Sequence, residues 1–127
     1  MTYSVQNTDG SKTINVAASQ VNSSFSVALV GRNVSGYGQY FVQNSIRHLE
    51  NFASTSAPTP DIPLEGQIWY DKTEDVMRVY DGTGWQRQSI TVSAAAPSGG
   101  VASGTAYYDT VDDKLKVHNG TTFVDSS

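Results

Sequence analysis

The chain has 127 residues, 38% of them hydrophobic, a net charge of −4 and no cysteine. That is enough for one ordinary domain or two very small ones, and it excludes disulfide and thiolate–metal stabilisation. No run approaches the ~18 apolar residues of a membrane span, so none is expected. The opening residues have neither a basic head nor an apolar run, so no secretory signal is expected either.

Charge is placed unevenly. Residues 1–53 set Lys12, Arg32 and Arg47 against Asp9 and Glu50, a net of +1, whereas residues 54–127 set five basic against ten acidic side chains, a net of −5. Nucleic-acid affinity rests on Lys and Arg neutralising phosphates, and an acidic half without a basic patch excludes that partner.

Residues 1–53 read as a small unit of their own. Tyr3–Val5 and Thr13–Val16 flank Asn7-Thr-Asp-Gly10, the signature of a β-hairpin. A polar link over 18–24 leads to the apolar run 25–30, which ends at Gly31. The glycines at 31, 36 and 38 fit neither GxGxxG nor GxxxxGK[ST], so no phosphate cradle is specified, and a tight connection tucking Tyr37 against a helix is expected. Phe41, Val42, Ile46, Leu49, Phe52 and Ala53 then recur at spacings of three and four. This predicts a helix near 38–53 with an apolar inner face and Arg47 and Glu50 outside. Pro58, Pro60 and Pro63 cannot continue it, so residues 54–63 are expected as a linker.

Beyond that boundary the chain says the same thing twice. Residues 66–86 and 104–124 align without a gap over 21 positions, seven of them identical: Gly66/Gly104, Tyr70/Tyr108, Asp71/Asp109, Asp75/Asp113, Val79/Val117, Gly82/Gly120 and Thr83/Thr121. Each copy reads as strand, acidic loop, strand, Asp-Gly or Asn-Gly turn, and a short third strand, the first running on through Ile90 and Val92. The expected architecture is α+β and mostly β. A hairpin-plus-helix unit over 1–53 precedes meander repeats at 64–92 and 104–127, with an Ala/Gly/Ser spacer at 93–103. In the first meander Ile68, Tyr70, Met77 and Val79 share one face, and Trp69 and Tyr80 the other.

A repeat of this size cannot bury a core alone. Apolar groups on both meander faces therefore call for cover, and a homo-oligomer is expected, a trimer first and a six-fold arrangement next. Trp69, Tyr70, Tyr80, Trp85, Tyr107, Tyr108 and Phe123 are assigned to core and interface. A sugar-stacking platform is the competing use of such rings. The acidic loops 71–75 and 109–113 lack the Asp-x-Asp-x-Asp-Gly order of a calcium loop, so no metal or other cofactor is expected. His48 and His118 lack partners at ligand spacing, and no nucleophile elbow occurs, so no catalytic residue is assigned and no enzyme is expected.

The phrase Pro63-Leu-Glu-Gly66-Gln-Ile-Trp69-Tyr-Asp71, with Met77-Arg-Val79-Tyr-Asp81-Gly82-Thr-Gly-Trp85, resembles a module of tail-fibre and other virion structural proteins of tailed bacteriophages. Upstream, Leu29-Val-Gly31-Arg32-Asn33, Tyr37-Gly38, Asn44 and Leu49-Glu-Asn51-Phe52-Ala resemble the region that often precedes it, most of all in contractile-tailed phages, including those of cyanobacteria. The resemblance covers roughly residues 25–90, and the second repeat more loosely, with Ala106, Tyr107 and Phe123 departing from the pattern. It implies a non-enzymatic virion component, assembled in the host cytoplasm and placed in the tail as fibre, baseplate periphery or adaptor. Its implied partners are further copies of itself and other virion proteins. The alternative is a carbohydrate-binding module that adsorbs the particle to host-surface glycan.

Overall fold

The structure, a computed structural model, describes residues 1–58, 61–88 and 90–126. The fold is α+β and mostly β, with one helix and several small, mainly antiparallel sheets. It divides into two compact units, Met1–Ala53 with Pro58–Pro63, and Ser54–Ala57 with Leu64–Ser127. The proline-rich stretch is thus shared between them. Ser54 bridges in parallel to Asp71, while the Ile62 N–H donates to the Ser24 carbonyl at 2.6 Å.

In the first unit β1 (Tyr3–Gln6) and β2 (Thr13–Val16) pair as the expected hairpin, with Gln6 opposite Thr13. Two short strands, β3 (Val21–Asn22) and β4 (Leu29–Val30), pair antiparallel beyond it. Gly31 follows, and here glycine is obligatory. An added Cβ would stand 2.1 Å from the Ala17 carbonyl oxygen and 2.7 Å from that of Gln20.

Helix α1 covers Tyr37–Leu49, shorter than the apolar period implies. It stops in a Schellman-type cap: the Phe52 N–H donates to the Arg47 carbonyl and the Asn51 N–H to that of His48. Asn51 and Phe52 take left-handed φ of 53° and 54° to do so, which removes Phe52 and Ala53 from the helical face. Its orientation is the reverse of the amphipathic expectation. No residue of α1 is buried. Asn44 seats the helix instead, donating from Nδ2 to the Ala28 carbonyl at 2.7 Å and accepting the Ala28 N–H on Oδ1 at 2.9 Å. Arg47, expected outside, is half-buried and donates to the Ser26 carbonyl at 3.4 Å. Tyr37 does not tuck inward but stays exposed.

The second unit holds both repeats. Strands β5 (Ile68–Asp71), β6 (Val76–Tyr80) and β7 (Trp85–Arg87) form the first meander. In the second, β9 (Ala106–Asp109), β10 (Lys114–His118) and β11 (Phe123–Asp125) carry a fourth strand, β8 (Thr91–Ser93), laid parallel along β9. Val92 was expected to prolong the Trp85 strand of the first repeat, and Ile90 lies outside any strand. β7 ends at Arg87, and Val92 pairs opposite Tyr108 of the second. The Ser54–Asp71 bridge is the first repeat's smaller counterpart, so each meander carries a parallel partner on the edge of its opening strand.

Register sorts the side chains of each meander. Trp69 lies opposite Arg78, Asp71 opposite Val76 and Tyr80 opposite Trp85, so all six share one face with Arg87. Ile68, Tyr70, Met77 and Val79 share the other, as their alternation implies. Burial follows this division: Trp69, Asp71, Val76 and Arg78 are buried, whereas the Ile68 face is half-buried to exposed.

Candidate functional site

The positions that recur between repeats form one constellation built twice. Asp71 closes β5 and Asp109 closes β9. On each, Oδ1 accepts two backbone N–H groups of the loop that follows, Thr73 and Glu74 at 2.9 and 3.3 Å, Val111 and Asp112 at 2.8 and 3.3 Å. The other oxygen faces inward to a cation. Arg78 Nε lies 3.0 Å from Asp71 Oδ2, and Lys116 Nζ lies 2.8 Å from Asp109 Oδ2. Each aspartate therefore folds its own loop and neutralises a cation, buried for Arg78 and half-buried for Lys116.

Electrostatics follow the geometry. The Lys116 ammonium, then the loop N–H groups, hold the Asp109 carboxyl at about 2 against an ordinary 3.8. Asp109 and Asp112 together raise Lys116 in turn. Burial and the nearby Arg78 charge lower Arg87, whose Nη1 donates to Thr91 Oγ1 at 2.7 Å and Nη2 to the Gly99 carbonyl at 2.9 Å. Its Nε is buried and has no hydrogen-bond partner among the described residues.

Loop closure uses three more of the identical pairs. Tyr70 and Tyr108 donate their hydroxyls to Asp75 and Asp113, the last loop residues, which take left-handed φ of 54° and 57°. Asp81 and Asn119 each accept two N–H groups across the next turn, and Gly82 and Gly120 supply its φ of 96° and 100°. The acidic loops are thus built by hydrogen bonds, and among the described residues no three acidic or histidine side chains converge to hold a metal ion.

The aromatic residues assigned to packing form matched triads. Trp69 meets Trp85 edge-on at 5.6 Å and Tyr80 lies 5.2 Å from Trp85. In the second copy Tyr107 and His118 each meet Phe123 at 4.9 Å. His118, unassigned in the sequence, stands where Tyr80 does and accepts the Gly120 N–H on Nδ1. Trp69 and Tyr107 are buried, and Tyr80, Trp85 and Phe123 are half-buried. Tyr70 and Tyr108 lie on the opposite, outward face.

The spacer is drawn into the first site. An added Cβ on Gly99 would sit 2.6 Å from Glu74 Oε1, and one on Gly100 would sit 2.4 Å from Arg78 Nη1. A cavity of about 340 Å³ remains there, bordered by Trp69, Trp85, Glu74, Arg78, Thr73 and Gly99.

The outward faces are aliphatic. On the second sheet Val92, Tyr108, Leu115, Val117 and Val124 align across four strands, and Val92, Leu115 and Val124 are exposed. Among the described residues no helix is long and apolar enough to cross a membrane. No family model, curated protein or solved structure matches the chain.

Proposed function

We propose that the chain is a non-enzymatic structural component of a phage virion, placed in the tail as fibre, baseplate periphery or adaptor, and that its repeats mediate subunit assembly. One observation carries the structural half of this reading. Asp71, Asp75, Gly82, Tyr70 and their counterparts are spent on turns, ion pairs and hydrogen bonds, so what the repeat preserves is its own shape. The aliphatic outward faces are the surfaces such a module offers a neighbour, in keeping with a homo-oligomer, a trimer first. The virion half rests on the phrases around Trp69 and Asn33 that resemble phage tail proteins. Imaging intact particles with a labelled copy of the chain tests it: density at the tail supports the reading, and absence from the particle rejects it.

The cavity beside Trp85 favours one second reading, adsorption to a host-surface glycan. An aromatic edge next to Glu74, Arg78 and Thr73 suits a polyhydroxylated ligand. Glycan binding abolished by Trp85→Ala in a folded chain selects that reading, and no binding by the intact chain removes it.

A further inference from the structure

Helix α1 is anchored by its polar edge and turns its apolar side to solvent. Tyr37 is 70%, Phe41 71%, Val42 61%, Ile46 48% and Leu49 80% exposed. At 100° per residue these five span half the helix circumference, with Gly38, Ser45 and His48 between them. The arrangement is specified. Asn44 matches both backbone groups of Ala28, which fixes the rotation of the helix and leaves the stripe outward.

Two shapes result within the same unit. Tyr37 and Phe41 form one wall of an open groove of about 650 Å³ whose other walls include Tyr3, Val5, Leu29 and Val30. Val42, Ile46 and Leu49, roughly 120° further round the helix, form a ridge. Ridge and groove belong to one helix and point apart, so neither can fill the other inside a single unit.

We propose that the ridge of one copy seats in the groove of the next, a heterologous contact between copies of this chain. In each contact one copy offers the three ridge side chains, roughly 300 Å², and its neighbour offers the groove walls, so a single contact is small beside the ~800 Å² per partner of a standard interface and a closed ring gives every copy two of them. The ridge carries no charge, and the groove lining carries one, Arg32. A membrane surface is the poorer occupant, because an interfacial helix sets Lys and Arg along its polar face, and here Arg47 is tied to Ser26. Head-to-tail contacts of this kind generate rings when the rotation closes. The surface is separate from the repeats, so this inference stands or falls apart from their role.

The chain has no cysteine, which makes cross-linking clean. Val5→Cys and Leu49→Cys, both at exposed positions, are to be produced singly and co-expressed, then oxidised. The expected result is a disulfide dimer band strong in the co-expressed sample and weak in either alone. A strong band from Leu49→Cys alone would replace the contact with a symmetric ridge-to-ridge one and overturn the proposal. So would an absence of cross-links in all three. Leu49→Asp with unchanged circular dichroism is expected to lower the molar mass in light scattering. Unchanged mass, or binding of the intact chain to anionic phosphatidylserine vesicles lost in Leu49→Asp, would also overturn it.

Discussion

Arg78 Nε lies 3.0 Å from Asp71 Oδ2, and Lys116 Nζ lies 2.8 Å from Asp109 Oδ2 at the same place in the second repeat. The cation changes between copies, from a planar guanidinium to an ammonium, while the aspartate does not. The aspartate is the more constrained partner because its second oxygen folds the loop. Arginine in the first copy has an additional contact, over the Trp69 ring at 5.9 Å, where the second has the smaller Tyr107.

Asp71→Ala should therefore be among the most damaging single changes. It strands a buried Arg78 and releases two loop N–H groups, and unpairing a buried charge costs about 3–5 kcal/mol. Chemical denaturation monitored by tryptophan fluorescence measures it. A loss below about 1 kcal/mol would place the pair in the solvent-screened class instead.

Acid should loosen the second repeat late. The Asp109 carboxyl has a folded value of about 2, below its ordinary 3.8, so it stabilises the fold. That contribution is complete above about pH 4 and is lost as pH falls through about 2. Asp81, lowered by the Gly84 and Thr83 N–H groups, acts in the same direction in the first repeat. Lys116→Met should flatten the thermal midpoint against pH between about 4 and 2, and an unchanged profile would remove Asp109 as the source.

The turn glycines are not equivalent. Gly82 has φ of 96°, and Gly84, two residues on, has no positive φ. Gly82→Ala should cost about 1–2 kcal/mol from the strained backbone, with Gly84→Ala close to neutral. Equal losses in thermal unfolding would contradict the assignment of the turn.

Much of this was legible in the residues. The hairpin over 3–16, the strand–loop–strand order of the repeats and the division of Trp69 and Tyr80 from Ile68 and Tyr70 all follow from alternation and turn chemistry, which are local. What escaped was non-local. Val92 alternates as any strand residue does, and nothing in its period says that Tyr108 rather than the preceding meander is its partner. For α1 the period located the helix and its apolar stripe but not which side faces inward. Two side-chain hydrogen bonds from Asn44 decided that against the hydrophobic expectation. The Asp71–Arg78 pair could have been found, since strand parity around a four-residue loop places both on the Trp69 face.

The proposed assembly role requires an oligomer. Four apolar residues are buried among the described ones (Val16, Trp69, Val76 and Tyr107), while the α1 stripe and the Val92–Leu115–Val124 face are open. Sedimentation equilibrium or light scattering of the full chain at micromolar concentration measures the outcome. A particle of three times 13.7 kDa, or a higher closed multiple, is the expected result. A folded, monodisperse species at 13.7 kDa across that range would contradict the account.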